Sequence, residues 1–290
     1  MHRSLLFVPG DSDKKITKSE TVPADLIIFD LEDAVAAAAR PEARLRVRDY
    51  LNGRTERTAA LYVRINPLDT DDARKDLEVL MVGAPDGVVL PKAHAPDDIR
   101  TLEKLLDAAE AKYGFEKGAT HILPVATETP AALFTLGEYR HVADRLSGLT
   151  WGAEDLGASI GAMSKHGDAS EWSDPFALAR SLCLFAASAA GAQAIDTLYA
   201  NFKDQEGLAA SAARARRDGF TGKLAIHPGQ VEIINAAFTP STEEVEEAHA
   251  IIALFAANPD AGALSFKGRM VDMPHLVQAN KIIALAEKVR

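Results

Sequence analysis

The chain has 290 residues, 47% of them hydrophobic and 26% charged, and a formal net charge of −10 at pH 7. That length suits one large α/β domain or two smaller ones, with a core that needs neither disulfides nor a structural metal. The acidic balance argues against non-specific nucleic-acid binding, while leaving room for a local basic pocket that takes an anion. Cys183, the lone cysteine, sits in an apolar helical stretch and reads as a packing residue. No apolar signal-peptide core precedes Arg3, and no uninterrupted apolar run reaches membrane-spanning length, so a cytoplasmic protein is expected.

In chain order, short apolar runs predict strands at Ser4–Pro9, Leu26–Leu31, Ala60–Asn66, Gly87–Pro91, His121–Thr127, Leu149–Ala153, Gln193–Leu198 and Lys223–His227. The runs lack polar alternation, as parallel strands buried on both faces do. Helical patterns lie between them, among them Asp97–Tyr113 and Asp174–Ala190. Eight βα units predict an α/β fold, a (β/α)8 TIM barrel, over residues 1–235. A doubly wound sheet is the second choice, because Gly10-Asp11-Ser12 is too sparse for a dinucleotide turn. Residues 236–290 depart from the repeat and predict a helical extension, a lid or a piece that docks on a neighbouring subunit. Ser241 or Thr242, followed by Glu243 and Glu244, opens a helix to about Ala257 with a capping-box pattern. A loop over Gly262–Pro274 and a last helix from about His275 to Val289 complete the chain.

Function in such a barrel gathers at the carboxyl ends of the strands. Those ends present Asp30, Glu32 and Asp33, then Arg64 and Asn66, Lys92, Glu128, Glu154 with Asp155, and His227. Glu128 and Asp155 each close an apolar strand, which suggests a hard divalent cation held by oxygen ligands. Mg²⁺ fits best, being commonly bound by one or two carboxylates with water and substrate completing the octahedron. Helix N-caps placed after strands would give the same pattern. Arg64 has two readings, a partner for Glu32 or Asp33 or a planar fork for an anionic substrate. Glu32, Asp33, Lys92 and Glu154 are read as support around the metal, and equally as barrel ion pairs. His227 before Pro228 reads as a satisfied strand-end histidine, and Lys14, Lys15 and Lys18 as a solvated helix face. The scattered histidines carry no zinc spacing.

Arg3-Ser4-Leu5-Leu6-Phe7-Val8-Pro9-Gly10, Asp30-Leu31-Glu32-Asp33-Ala34-Val35, Val63-Arg64-Ile65-Asn66, Leu90-Pro91-Lys92, Thr127-Glu128-Thr129, Gly152-Ala153-Glu154-Asp155-Leu156, Gln193-Ala194-Ile195-Asp196 and Ala225-Ile226-His227-Pro228 together resemble the citrate lyase β-subunit family of the HpcH/HpaI aldolase superfamily. The resemblance runs in order through nearly the whole chain. It implies a Mg²⁺-dependent carbon–carbon lyase, a homotrimer or hexamer, acting on 3-hydroxy-dicarboxyl thioesters such as malyl-CoA or citramalyl-CoA. Acetyl-CoA and a 2-oxo acid, glyoxylate or pyruvate, would be the products. By the same resemblance Glu128 and Asp155 ligate Mg²⁺ and Arg64 binds the substrate's oxygens. Phe7, Lys14, Lys18, Ile226 and His227 match the coenzyme A channel, Phe7 replacing a tyrosine of some relatives. The tail Phe266-Lys267-Gly268-Arg269-Met270-Val271-Asp272-Met273-Pro274 is similar to that of free-standing coenzyme A-using members, in which an aspartate, here Asp272, enters a neighbour's active site. Malate synthase, malyl-CoA thioesterase and citryl-thioester lyase chemistry are the alternatives on this scaffold. A phosphoenolpyruvate-type barrel would want phosphate-binding glycines after strands seven and eight, which Asp196-Thr197 and Pro228-Gly229 barely supply. A purely binding protein would leave the strand-end acids idle.

Overall fold

The computed structural model describes residues 1–54, 57–142, 144–167 and 171–289. It divides into two compact units, residues 2–235 and residues 236–290 together with Met1. The first holds strands β1 Ser4–Pro9, β2 Leu26–Asp30, β3 Ala60–Arg64, β4 Gly87–Leu90, β5 His121–Pro124, β6 Gly148–Thr150, β7 Gln193–Asp196 and β8 Gly222–Ala225. Helices α1 Asp13–Ser19, α2 Arg40–Asn52, α3 Asp71–Leu80, α4 Pro96–Tyr113, α5 Ala153–Ile160, α6 Asp174–Ala189 and α7 Gln205–Asp218 alternate with them, and α8 Val231–Phe238 follows β8.

The strands hydrogen-bond in the order β5-β4-β3-β2-β1-β8-β7-β6, all parallel. Between β5 and β6 the barrel is joined by single parallel bridges, Ile122 to Leu146 and Val125 to Thr150, rather than a full ladder. The result is a TIM barrel, closed where two strands meet only in part. One βα unit departs from the predicted repeat: 3-10 turns at Ala131–Phe134 and Leu136–His141 replace an α-helix after β5. Several strands also stop earlier than their apolar runs: β3 at Arg64 rather than Asn66, β5 at Pro124 rather than Thr127, β8 at Ala225 rather than His227. The run continues because residues beyond the strand ends, Ala126 and Thr127 among them, are still buried. Hydrophobicity reports burial, not pairing.

Leu5, Leu26, Ile28, Tyr62, Val89, Leu123, Val125, Ile195 and Leu224 form one buried cluster. Each such side chain contributes about 1.5–3 kcal/mol relative to exposure. Gly87 belongs to this packing, since a Cβ there would lie 2.4 Å from the Tyr62 ring. Cys183 is fully buried and burial pushes its thiol up, as a packing residue requires. Just before β6, buried Arg145 reaches Glu110 of α4 at 2.6 and 2.8 Å and the Thr120 carbonyl at 2.9 Å. Burial opposes ionisation of Glu110, but Arg145 and the amides of Thr120 and Gly118 outweigh it and pull the carboxyl down to about 2.

The second unit contains α9 Thr242–Ala256, β9 Ala263–Phe266, β10 Arg269–Asp272 and α10 Met273–Val289. Ser241 accepts from the Glu244 amide at 3.2 Å and donates its own amide to the Glu244 carboxylate at 2.7 Å, closing the predicted capping box. The segment read as a loop is an antiparallel hairpin, pairing Phe266 with Arg269 and Ala263 with Asp272. Its turn residues Lys267 and Gly268 have φ of 47° and 76°, the left-handed pair that suits strand twist in a two-residue hairpin. Val271 of this hairpin packs with Ala248, Ile251, Phe255 and Ala279. Among the described residues no helix is long and apolar enough to cross a membrane.

Candidate active site at the carboxyl ends of the strands

Strand register brings the charged groups together. Asp30 ends β2 and Arg64 ends β3 as direct neighbours. The Arg64 guanidinium grips Asp30 with both arms, Nε to Oδ1 at 2.7 Å and Nη2 to Oδ2 at 2.6 Å. Asp30 is only 2% exposed and also accepts the amides of Glu32 at 3.0 Å and Ala34 at 3.2 Å. The expected ion pair of Arg64 with Glu32 is present, but both of its hydrogen bonds go to Asp30, for which the aligned strand ends were the available signal. Arg64 Nη1 approaches Glu32 Oε2 at 2.9 Å as an ion pair, without the alignment of a hydrogen bond. Asp33, largely exposed, is 3.9 Å from it. The Phe7 ring lies under the guanidinium, 4.9 Å from its carbon, so Phe7 supports Arg64 directly. Burial works against the charge on Arg64, yet Asp30 and Glu32 hold its pKa above the ordinary arginine value.

Lys92 follows β4 with φ of 50°, a left-handed conformation unusual for a lysine. Its amide donates to Glu128 Oε2 at 2.5 Å, and its ammonium contacts Glu32 and lies 3.3 Å from Asp155 Oδ1 and 3.8 Å from Asp33. Burial disfavours that ammonium, but Glu32 and then Asp155 raise its pKa overall. Glu32 is itself raised, first by burial, with Arg64 and Lys92 pulling the other way.

Glu128 follows β5 and is 3% exposed. Gly152 makes room for it: a Cβ at that position would lie 2.6 Å from Glu128 Cγ. The Gly152 amide is also tied to Thr127 Oγ1 at 3.1 Å, locking the ends of β5 and β6. Asp155 stands in the first turn of α5, where backbone N–H groups favour a carboxylate. Burial pushes Glu128 up to about 8, and the neighbouring charges of Asp155 and Glu32 add to that against the Lys92 amide. Asp30, Glu32, Asp33, Glu128 and Asp155 thus outnumber the cations Arg64 and Lys92. A hard divalent cation matches this donor set, because it would offset the surplus and return Glu128 to its ionised form. Among the described residues no three His, Cys, Asp or Glu side chains form a complete metal cage. Two carboxylates with water and substrate oxygens, the usual Mg²⁺ pattern, remain in keeping with that.

Other predicted residues lie elsewhere. Glu154, half-exposed, pairs with Lys165 and does not join the group around Lys92. Its neighbour Asp155 takes that place because consecutive helix positions point some 100° apart. Asn66 also leaves the ring: it donates to Asp76 of α3 at 2.8 Å and to the Leu31 carbonyl at 3.1 Å, joining the buried Arg44–Asp76 pair. Lys14 and Lys18 are exposed on α1. Ile226 and His227 are exposed after β8, the His227 ring stacked on Phe202 with centroids 5.0 Å apart. His227 Nδ1 accepts the Gly229 amide at 3.1 Å, as a strand-end histidine can. Asp272 belongs to the second unit, where its carboxylate meets His275 Nδ1 at 2.5 Å. Trp151 and Asp196 were missed as a pair: the indole donates to the buried carboxylate at 2.8 Å, just ahead of Gly152.

A parallel TIM barrel with an acid-rich rim, two carboxylates suited to a hard cation and an arginine fixed beside them defines a class, the metal-assisted barrel lyases of anionic substrates. The chain belongs to the HpcH/HpaI aldolase/citrate lyase family, whose profile matches residues 3–228. The profile of a carbon–carbon bond lyase of the TIM-barrel fold matches residues 175–289. The chain is 34% identical to citrate lyase subunit beta of Escherichia coli, covering 98% of this chain and 93% of that protein. It is 34% identical to the mitochondrial citramalyl-CoA lyase of Mus musculus, over 99% of this chain and 87% of that one. It is 33% identical to the (3S)-malyl-CoA thioesterase of Cereibacter sphaeroides, over 99% and 95%. Among solved structures, protein CitE of Mycobacterium tuberculosis in complex with magnesium, acetoacetate and coenzyme A aligns with a TM-score of 0.77 and 33% identity, over 98% and 97% of the two chains.

Proposed function

We propose that this enzyme reversibly cleaves the carbon–carbon bond of a 3-hydroxy-dicarboxyl coenzyme A thioester of the malyl or citramalyl type, yielding acetyl-CoA and glyoxylate or pyruvate. One observation carries the reading: Glu128 accepts the Lys92 amide, Asp155 stands 3.3 Å from the Lys92 ammonium, and that ammonium shares Glu32 with Arg64, all at the carboxyl ends of the strands. Glu128 and Asp155 would hold Mg²⁺, which supplies Lewis-acid polarisation of the oxo acid's oxygens when bound.

In the cleavage direction the substrate hydroxyl gives its proton to solvent water as the carbon–carbon bond breaks. The bonding pair becomes the enolate of the acetyl thioester, and a proton delivered to that carbon completes acetyl-CoA. Arg64, fixed by Asp30 and Phe7, is placed to stabilise the enolate oxygen with donors that need no reorganisation. Lys92 keeps Glu128 and Asp155 in place through its amide and its ammonium. Asp272 is assigned the proton at the acetyl carbon, acting in the site of a neighbouring subunit of a homotrimer or hexamer. The exposed Lys14 and Lys18, with Ile226 and His227, are assigned to coenzyme A.

Relatives with other activities support a second outcome on the same site, hydrolysis of the thioester to a free hydroxy acid and coenzyme A. Mass spectrometry of products from malyl-, citramalyl-, methylmalyl- and citryl-CoA with Mg²⁺ separates the two. Equal amounts of acetyl-CoA and oxo acid support the lyase; hydroxy acid with free coenzyme A supports the thioesterase. No turnover of any thioester overturns both.

A further inference from the structure

The second unit contains a contact between Asp272 and His275 of which the mechanism above uses the aspartate alone. Asp272 closes β10 and His275 stands in the first turn of α10, three residues on. Their contact is short, His275 Nδ1 to Asp272 Oδ1 at 2.5 Å, and the Asp272 amide lies 3.2 Å from the same ring nitrogen. One nitrogen cannot serve both neighbours. Carrying a hydrogen, Nδ1 donates to the carboxylate; bare, it accepts the amide and faces Oδ1 with lone pairs opposed. The first arrangement is the one that keeps an ionised Asp272 beside the ring, and it fixes the carboxylate by one oxygen. Among the described residues the second oxygen of Asp272 meets no hydrogen-bond partner, and the side chain is 35% exposed.

His275 is half-exposed and opens on a cavity of about 510 Å³ within this unit. Facing that cavity from α9 are Glu243, Glu244 and Glu247, and from β10 Arg269. Glu247 is bound by Arg269 and Lys267, and Glu244 is bound to the Ser241 amide, so Asp272 is the carboxylate that contacts the ring.

We propose that His275 is the positioning residue for Asp272: its Nδ1–H holds one carboxylate oxygen so that the other is presented for proton transfer. The proposal rests on the assignment of Asp272 as the group that moves the proton at the acetyl carbon. In the condensation direction Asp272 takes a proton from the methyl of acetyl-CoA, and the enolate attacks the oxo acid. The Nδ1–H bond leaves the second oxygen of Asp272 free to act as that base.

The test uses the full-length enzyme with acetyl-CoA, glyoxylate and Mg²⁺, and compares His275→Ala, His275→Asn and Asp272→Asn by kcat, KM and melting temperature. His275→Ala should lose roughly tenfold in kcat, the scale of one hydrogen bond to a charged group, with KM for acetyl-CoA unchanged. His275→Asn puts an amide N–H near the position of Nδ1, so it should recover most of the turnover. Should His275→Ala not fold, His275→Asn decides alone, and turnover as low as that of Asp272→Asn overturns the proposal. A His275→Ala enzyme with lowered melting temperature and unchanged kcat also overturns it and leaves His275 a helix-end residue. Asp272→Asn separates the two claims. Full turnover in that variant overturns the role of Asp272 and the positioning role together; a dead Asp272→Asn beside a fully active His275→Ala overturns the positioning role alone.

Discussion

Replacing Arg64 by lysine keeps the charge and removes the fork. The guanidinium makes two hydrogen bonds to Asp30, at 2.7 and 2.6 Å, approaches Glu32 at 2.9 Å and covers Phe7 at 4.9 Å. A lysine ammonium is a point charge on a flexible stem and can satisfy one of these at a time. Asp30, 2% exposed, then lacks one charged hydrogen bond, which costs about 1.5–3 kcal/mol of stability. In a chain of this size that lowers the melting temperature by about 3–10 °C. Turnover should suffer more, because the donor aimed at the developing enolate oxygen is no longer preorganised. Loss of one such donor costs roughly 10²–10³ in kcat. Cleavage of malyl-CoA and citramalyl-CoA, followed by oxo-acid release, gives kcat, while calorimetry gives Mg²⁺ affinity, which should be unchanged. A lowered melting temperature with intact kcat would show that Arg64 only holds the barrel together.

Glu128→Gln should fold, bind Mg²⁺ weakly and turn over little; full activity of the wild-type enzyme in EDTA would contradict the metal assignment. With the folded-state pKa of Glu128 raised to about 8, metal-free protein should lose stability as pH rises from about 4.5 through 8, and Glu128→Gln should flatten that slope. Glu110 gives the opposite sign. Its carboxyl is held at about 2, so its contribution is complete above its ordinary range and disappears as pH falls toward 2. At about 1.4 kcal/mol per pH unit this is about 3 kcal/mol, and acid melts of wild type and Glu110→Gln should converge toward pH 2. Parallel curves would refute the Arg145 account. Finally, Glu128→Gln and Asp272→Ala chains co-expressed in one oligomer should recover about a quarter of wild-type turnover, since random mixing in a closed ring completes that fraction of sites. Mixed oligomers, verified by mass, that stay dead would place Asp272 in its own subunit's chemistry or in none.

Much of the barrel was legible because buried parallel strands advertise themselves as unbroken apolar runs, several of them followed by a charged residue. Glu128, Asp155, Arg64 and Lys92 could be picked out on that ground alone, and the ordered motifs carried the family. Several matters depended on tertiary structure. Asp30, not Glu32 or Asp33, grips Arg64 because the β2–β3 register sets those two strand ends side by side. Of the adjacent acids Glu154 and Asp155, helix geometry turns one to Lys165 and the other to Lys92. Asn66 leaves the rim for Asp76 because its backbone has already left β3. The tail hairpin was hidden by its short, half-exposed strands, though Lys267-Gly268 marked its turn. By itself the sequence determined composition of the core, period and the order of charged strand ends, since these depend on local residue type and burial. Which carboxylate meets which cation was decided only by register and helix phase, which bring together residues that the chain keeps dozens of positions apart.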